Sequence, residues 1–242
     1  ILERHTDRLM ARTASRPLAA GRLSIRSAWL LVGLGFFGGC GCVWLAGNLQ
    51  AACAAMLTWV LYVCVYTPLK RVTPLNTAVG AVAGALPIAI GWLAADGPQQ
   101  VLAGDISAAL AVASLGTVLY LWQFPHFMAI AWLYRKQYDL ADLKMLTVTD
   151  PSGLRAAGQS LAAALAMIPV SLAMAVPSGS IRMFLTAALA STVYVLVSVN
   201  FAFRRDDRSA RILLFTSLGV LLILMMSAVA FSAPKVLSGS YL

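Results

Sequence analysis

Seven apolar runs of about 20 residues, the length needed to cross the hydrocarbon of a bilayer, leave this chain few folds to choose from. They lie at about 27–47, 50–67, 76–95, 107–134, 155–176, 182–203 and 211–233. In lipid the backbone N–H and C=O groups must be satisfied within each segment, so these runs read as helices packed side by side. The expected fold is all-α, a polytopic transmembrane helical bundle, with residues 1–242 forming one transmembrane domain. Only 11% of the residues are charged, against about a quarter in an ordinary soluble domain.

Charge placement tests that span count. With the N-terminus on a face called A, sixteen of the 18 basic residues fall on face A. They are Arg4, Arg8, Arg12, Arg16, Arg22 and Arg26 at the N-terminus, then Lys70 and Arg71. Arg135, Lys136, Lys144 and Arg155 follow, then Arg204, Arg205, Arg208 and Arg211. Face B receives Arg182 and Lys235. A miscounted span would scramble this partition, and the excess turns face A toward cytoplasm or mitochondrial matrix. The formal charge of +9 is thereby assigned to a membrane surface, with no nucleic-acid partner. No Asp or Glu falls inside an apolar run, which weighs against an ion-coupled transporter. The four cysteines lie within apolar runs without Cys-x-x-Cys spacing and read as small buried residues. No signal peptide precedes the charged residues 1–26, which read as a loop or interfacial helix opening straight onto a membrane core. The expectation is a chain lacking its N-terminal end.

Three face A segments carry residues with chemical potential. Glu3 and Asp7 are four apart, so on a helix they share a face, with Arg8, Arg12 and Arg16 at the same interval beside them. Paired carboxylates suit Mg²⁺ together with phosphate oxygens, and arginine forks suit phosphates directly. A solvated helix whose arginines meet anionic headgroups is the alternative. The second segment sets Lys70 and Arg71 between Pro68 and Pro74, which ordinary positive-inside anchoring also explains. The third, Arg135 to Arg155, contains Tyr138, Asp139 and Asp142. Within the run 107–134, Trp122-Gln123-Phe124-Pro125-His126-Phe127 places polar groups and a helix-disturbing proline where each is costly. That segment is expected to be kinked and to wall a pocket. Trp122 and His126 share a face that lines a flat substrate or packs a neighbouring helix. Gly35 with Gly39, and Gly80 with Gly84, have the spacing that lets helices approach closely.

Taken together these stretches resemble one family. Asp7-x-x-Met10-x-Arg12-Thr13-x-x-Arg16-Pro17-Leu18 is similar to the first aspartate-rich signature of the UbiA-type intramembrane prenyltransferases, in its protoheme IX farnesyltransferase (haem O synthase) form. Leu69-Lys70-Arg71, Asn76, Gly80, Gly84, Pro87 and Gly91-Trp92 continue the match. Trp122-Gln123-Phe124-Pro125-His126-Phe127 and Tyr138 with Met145-Leu146-Thr147-Val148-Thr149 complete it, and the last three helices match in hydropathy alone. The resemblance implies a nine-helix UbiA-like fold, of which seven spans are present and about two N-terminal ones missing. It implies transfer of farnesyl from farnesyl diphosphate to a vinyl group of haem B, with Mg²⁺ on Glu3, Asp7, Asp139 and Asp142. Lys70 and Arg71 would act in catalysis and, with Arg12 and Arg16, bind diphosphate. Asn76, Trp122, Gln123, His126, Phe127, Arg135 and Tyr138 would form the haem and prenyl pocket, with His126 on iron or a propionate. Gln137 stands where the family usually has an aspartate, which puts the second metal position in question. Implied partners are the lipid bilayer and haem A synthase or oxidase assembly factors. The wording of the third segment favours the mitochondrial inner membrane over a bacterial one. A UbiA-type enzyme acting on an aromatic quinone precursor is the nearer rival. A transporter or non-catalytic assembly subunit is the rival of another class.

Overall fold

The computed structural model describes residues 1–231; Lys235 and the end of the last expected run lie outside them. The described residues form helices joined by turns, with no strand among them. In chain order these are α1 (Arg4–Leu9), α2 (Ile25–Ala46), α3 (Leu49–Leu69), α4 (Asn76–Ala94), α5 (Gly97–Leu102) and α6 (Ile106–Leu133). They continue with α7 (Arg135–Leu140), α8 (Leu146–Thr149), α9 (Leu154–Ala173), α10 (Ile181–Arg204) and α11 (Asp207–Ala230). Seven of them, α2, α3, α4, α6, α9, α10 and α11, are long and apolar enough to span a membrane. They correspond to the seven runs, and the chain is an integral membrane protein.

Short polar side chains set where the spans start. Ser24, Asn48, Asp105, Ser180 and Asp206 each accept a bond from a backbone N–H in the first turn of α2, α3, α6, α10 and α11. These caps satisfy donors that a helix cannot satisfy itself. Large side chains such as Leu34, Leu45 and Phe203 point outward, as lipid-facing positions do when the solvent is itself apolar. Cys42, Cys53 and Cys64 are exposed as well. This corrects the reading of the cysteines as buried: in a bundle with lipid outside, an apolar run presents small residues outward as readily as inward.

The long helix α6 is the hub, packing against α4, α9 and α11, while α10 closes against α9 and α11. Met128, Met167, Tyr194, Phe201 and Leu213 are fully buried there. Buried Ser160, Ser191, Ser198, Ser217 and Ser227 return their hydroxyl protons to carbonyls three or four residues earlier, which lets small polar residues sit at helix contacts without orphaned donors. Helix α6 runs unbroken through Pro125. Proline has no N–H for the carbonyl of Leu121, and at the next carbonyl, that of Trp122, the Tyr194 hydroxyl of α10 donates at 2.7 Å. Close approach is realised at Gly80, where a Cβ would lie 2.7 Å from the Tyr66 ring, and at Gly84, where it would collide with the Gln123 amide. Gly35 and Gly39 face open space.

Candidate functional site

Three segments far apart in the chain knit together at the face A end of the bundle. Glu3 immediately precedes helix α1, and its carbonyl accepts from Asp7 N at 2.8 Å, so the two carboxylates share a face as their spacing predicts. It ends after Leu9, because Met10 turns extended (φ −107°, ψ 121°). The arginine register therefore stops: Arg8 bonds the Ala19 carbonyl, while Arg12 and Arg16 return on the following turns. Met10 is the anchor. It is buried with Tyr138, Ala141, Leu143 and Met145 from the third segment, and this apolar contact seats the N-terminal segment against α7.

Polar contacts complete the triangle. Lys70 Nζ lies 3.0 Å from Glu3 Oε1 and 4.5 Å from the Tyr66 ring centroid. Lys144 N donates to the Lys70 carbonyl at 2.7 Å, and the Asn76 amide, fully buried, donates to the carbonyls of Thr73 and Lys144. Arg12 reaches the third segment, its Nη2 donating to Tyr138 Oη at 3.2 Å. Near face A the last turns of α3 widen into a π-turn, Leu61–Tyr66, a local irregularity often found at functional sites. Tyr62 and Tyr66, with rings 5.0 Å apart, and Lys70 follow at four-residue steps.

Between these segments lies a cavity of about 270 Å³. Its polar wall is Glu3, Asp7, Arg12, Arg16, Lys70 and Tyr138, and Phe127, Ile130 and Leu143 line its apolar side. Both carboxylates are already matched with cations, Glu3 with Lys70 and Asp7 with Arg16 at 3.1 Å. Such partly exposed pairs are worth at most about 1 kcal/mol each, so an incoming ligand can rearrange them cheaply. Burial pushes the Tyr138 phenol above its ordinary value despite the opposing pull of Arg12, so it stays protonated near neutral pH. Among the described residues, two carboxylates and three cations surround this small cavity, a charge set with the chemistry to take a polyanion together with a divalent cation. A larger void, about 510 Å³, opens at the other end between α6, α9, α10 and α11. Among the described residues no cation lines it, and the one acid that does, Asp105, caps α6.

Several expected residues sit elsewhere. Arg71 is exposed beside the cavity rather than in its wall. Asp139 is exposed, and Asp142 takes a left-handed conformation (φ 51°) that leaves its side chain 87% exposed and paired with Lys144 at 2.7 Å. That contact holds the Asp142 carboxyl below the usual range. Neither acid lines the cavity. Asn76 ties loops together instead of facing the void. Trp122 and His126 stack inside the bundle at 4.7 Å and 24°. Trp122 Nε1 donates to the Ser217 carbonyl, and His126 Nδ1 lies 2.8 Å from Ser217 Oγ. Gln123 donates to the Ala81 carbonyl of α4, and Arg135 pairs with Asp207 while covering Trp132. Tyr62 and Tyr66 were missed as wall residues, though the spacing Tyr62, Tyr66, Lys70 would have shown them had α3 been extended to Lys70.

The profile of the UbiA prenyltransferase family matches residues 1–232. A protoheme IX farnesyltransferase from Rhodopirellula baltica is 40% identical over 230 residues, covering 91% of this chain and 77% of that protein. The mitochondrial protoheme IX farnesyltransferase of Arabidopsis thaliana is 42% identical over 174 residues, covering 70% of this chain and 37% of that one. Among solved structures, a UbiA homologue from Aeropyrum pernix K1 superposes with a TM-score of 0.70 at 21% identity, over 95% of this chain and 81% of that one. With its helical fold and a family match over almost its whole length, the chain belongs to the UbiA prenyltransferase family.

Proposed function

We propose that this chain transfers a farnesyl group from farnesyl diphosphate to a vinyl group of haem B, making haem O. The protoheme IX farnesyltransferases it is similar to carry the transferred group, farnesyl, and the acceptor, protoheme IX, in their name. The observation that carries the reading is the cavity itself, where Glu3, Asp7, Arg12, Arg16 and Lys70 from two distant segments face one another above an apolar wall.

Glu3 and Asp7 fit a divalent cation, Mg²⁺ in this reading, because Mg²⁺ is usually held by one or two carboxylates plus substrate phosphate oxygens. When bound it neutralises charge on the departing diphosphate. Lys70 and Arg16, released from the two carboxylates, turn onto the diphosphate, and Arg12 adds a third fixed positive charge, with Arg71 beside the rim. One preorganised donor aimed at developing charge is worth about 3 kcal/mol. As the allylic C–O bond breaks, the diphosphate takes the electron pair, and the rings of Phe127 and Tyr66 face the carbocation. The vinyl carbon attacks that cation. Water then adds to the porphyrin-side cation and loses a proton, leaving a hydroxyethyl linkage.

On the haem side, His126 Nδ1 is engaged by Ser217, which leaves Nε2 as the nitrogen for iron. Arg135 exchanges Asp207 for a propionate, and Trp122 backs the imidazole. Face A turns toward bacterial cytoplasm or mitochondrial matrix, where positive charge accumulates, and haem O passes on to haem A synthase or oxidase assembly factors. Purified protein is incubated with Mg²⁺ and farnesyl diphosphate, with either haem B or a hydroxybenzoate as acceptor, and the products are weighed by mass spectrometry. Farnesylated, hydrated haem is the expected product. A prenylated hydroxybenzoate with untouched haem would instead establish the quinone-precursor reading.

A further inference from the structure

Of the three cations that line the cavity among the described residues, Lys70 and Arg16 each face a carboxylate, whereas Arg12 is held by another means. Its guanidinium carbon lies 4.6 Å from the Tyr134 ring centroid and 5.9 Å from that of Tyr138. Its Nη2 donates to Tyr138 Oη at 3.2 Å, and its backbone N–H donates to Gln137 Oε1 at 3.3 Å. All four contacts come from five consecutive residues where α6 meets α7. Tyr134 and Gln137 are not in the cavity wall, so they act on Arg12 and not on the contents of the void.

We propose that Tyr134 and Gln137 are positioning residues that hold Arg12 across the cavity from Glu3 and Asp7, aimed in advance at the substrate diphosphate. The proposal rests on the diphosphate reading of this cavity. Its logic is electrostatic. A carboxylate partner would fix the guanidinium but cancel its charge, and would have to be displaced by each incoming phosphate. An aromatic face fixes the guanidinium while leaving its charge whole, and a neutral amide fixes the backbone that carries it. Gln137, at the position where an acid was expected, is thus a neutral latch on the arginine backbone.

The test is a double-mutant cycle read by titration calorimetry of inorganic pyrophosphate with Mg²⁺ into the purified protein in lipid nanodiscs. Tyr134→Leu is expected to weaken pyrophosphate binding about threefold to tenfold, the size of a partly desolvated cation–π contact. Tyr134→Phe keeps the ring and holds the wild-type affinity. On an Arg12→Ala background, Tyr134→Leu changes nothing further, because the partner it positions is gone. Equal losses with and without Arg12 would overturn the proposal. Arg12→Ala binding pyrophosphate as tightly as wild type would instead sink the diphosphate reading. Should Tyr134→Leu lower the melting temperature too far to titrate, Gln137→Ala, which removes one side-chain bond, takes its place in the cycle. A loss that vanishes on the Arg12→Ala background then supports the proposal, and an equal loss on both backgrounds overturns it.

Discussion

Lys70 shows how a single residue joins the electrostatics of this site to its architecture. Its ammonium meets Glu3 and the Tyr66 ring, while its carbonyl receives Lys144 N from the third segment. Lys70→Ala therefore removes a cation without touching the backbone bond. We expect turnover to fall about 10² to 10³-fold, the loss seen when one preorganised donor is deleted, with melting temperature almost unchanged because the pair is partly exposed. Steady-state kinetics beside a thermal melt reads both; a large melting shift with intact turnover would show Lys70 to be structural. His126 makes a second case. If its Nε2 binds haem iron, His126→Ala should remove the imidazole-ligated Soret band of added haem B, and free imidazole should restore it. An unchanged spectrum would end the ligand assignment and leave diphosphate chemistry standing.

At the scale of elements, the spans were legible and the ends of helices were not. Length, hydropathy and the one-sided placement of basic residues located seven helices, because lipid leaves a backbone no other way to bond itself. Three local departures escaped that logic. Helix α1 stops at Met10 because burying that side chain with Tyr138 and Leu143 outweighs one more helical turn. Asp142 leaves the site because a left-handed backbone turns its carboxylate toward Lys144, two residues on. The π-turn of α3 shifts register with no composition signal to mark it. That turn yields a prediction of its own. Tyr66 lies flat on α4 only because Gly80 has no side chain, so Gly80→Ala must push the ring, and Lys70 with it, toward the cavity. The KM for farnesyl diphosphate should rise several-fold with the haem KM unchanged. Equal increases in both would mean general loosening of the α3–α4 contact.

At the scale of the whole molecule, the charge pattern that sorts the loops to one face also explains why a polyanion should stiffen the fold. The N-terminal segment, the turn at Lys70 and the third segment are joined by a few polar contacts and the Met10 cluster, far less than the buried contacts of α6 with α9 and α11. A ligand that bonds Glu3 and Asp7 through a metal, and Arg12, Arg16 and Lys70 directly, ties two of these segments at once. It binds the folded state alone, so at a hundred times its dissociation constant it should add about 2.7 kcal/mol of stability. The melting temperature of the purified protein should rise when Mg²⁺ and pyrophosphate are added together, and less with either alone. Glu3→Ala combined with Asp7→Ala should abolish the synergy while leaving the ligand-free melt near wild type. A transporter or an assembly subunit gives the opposite result: no joint shift, and the double variant silent in turnover as well. That single melting experiment separates an enzyme built around a charged rim from a bundle whose arginines only mark the inner face of a membrane.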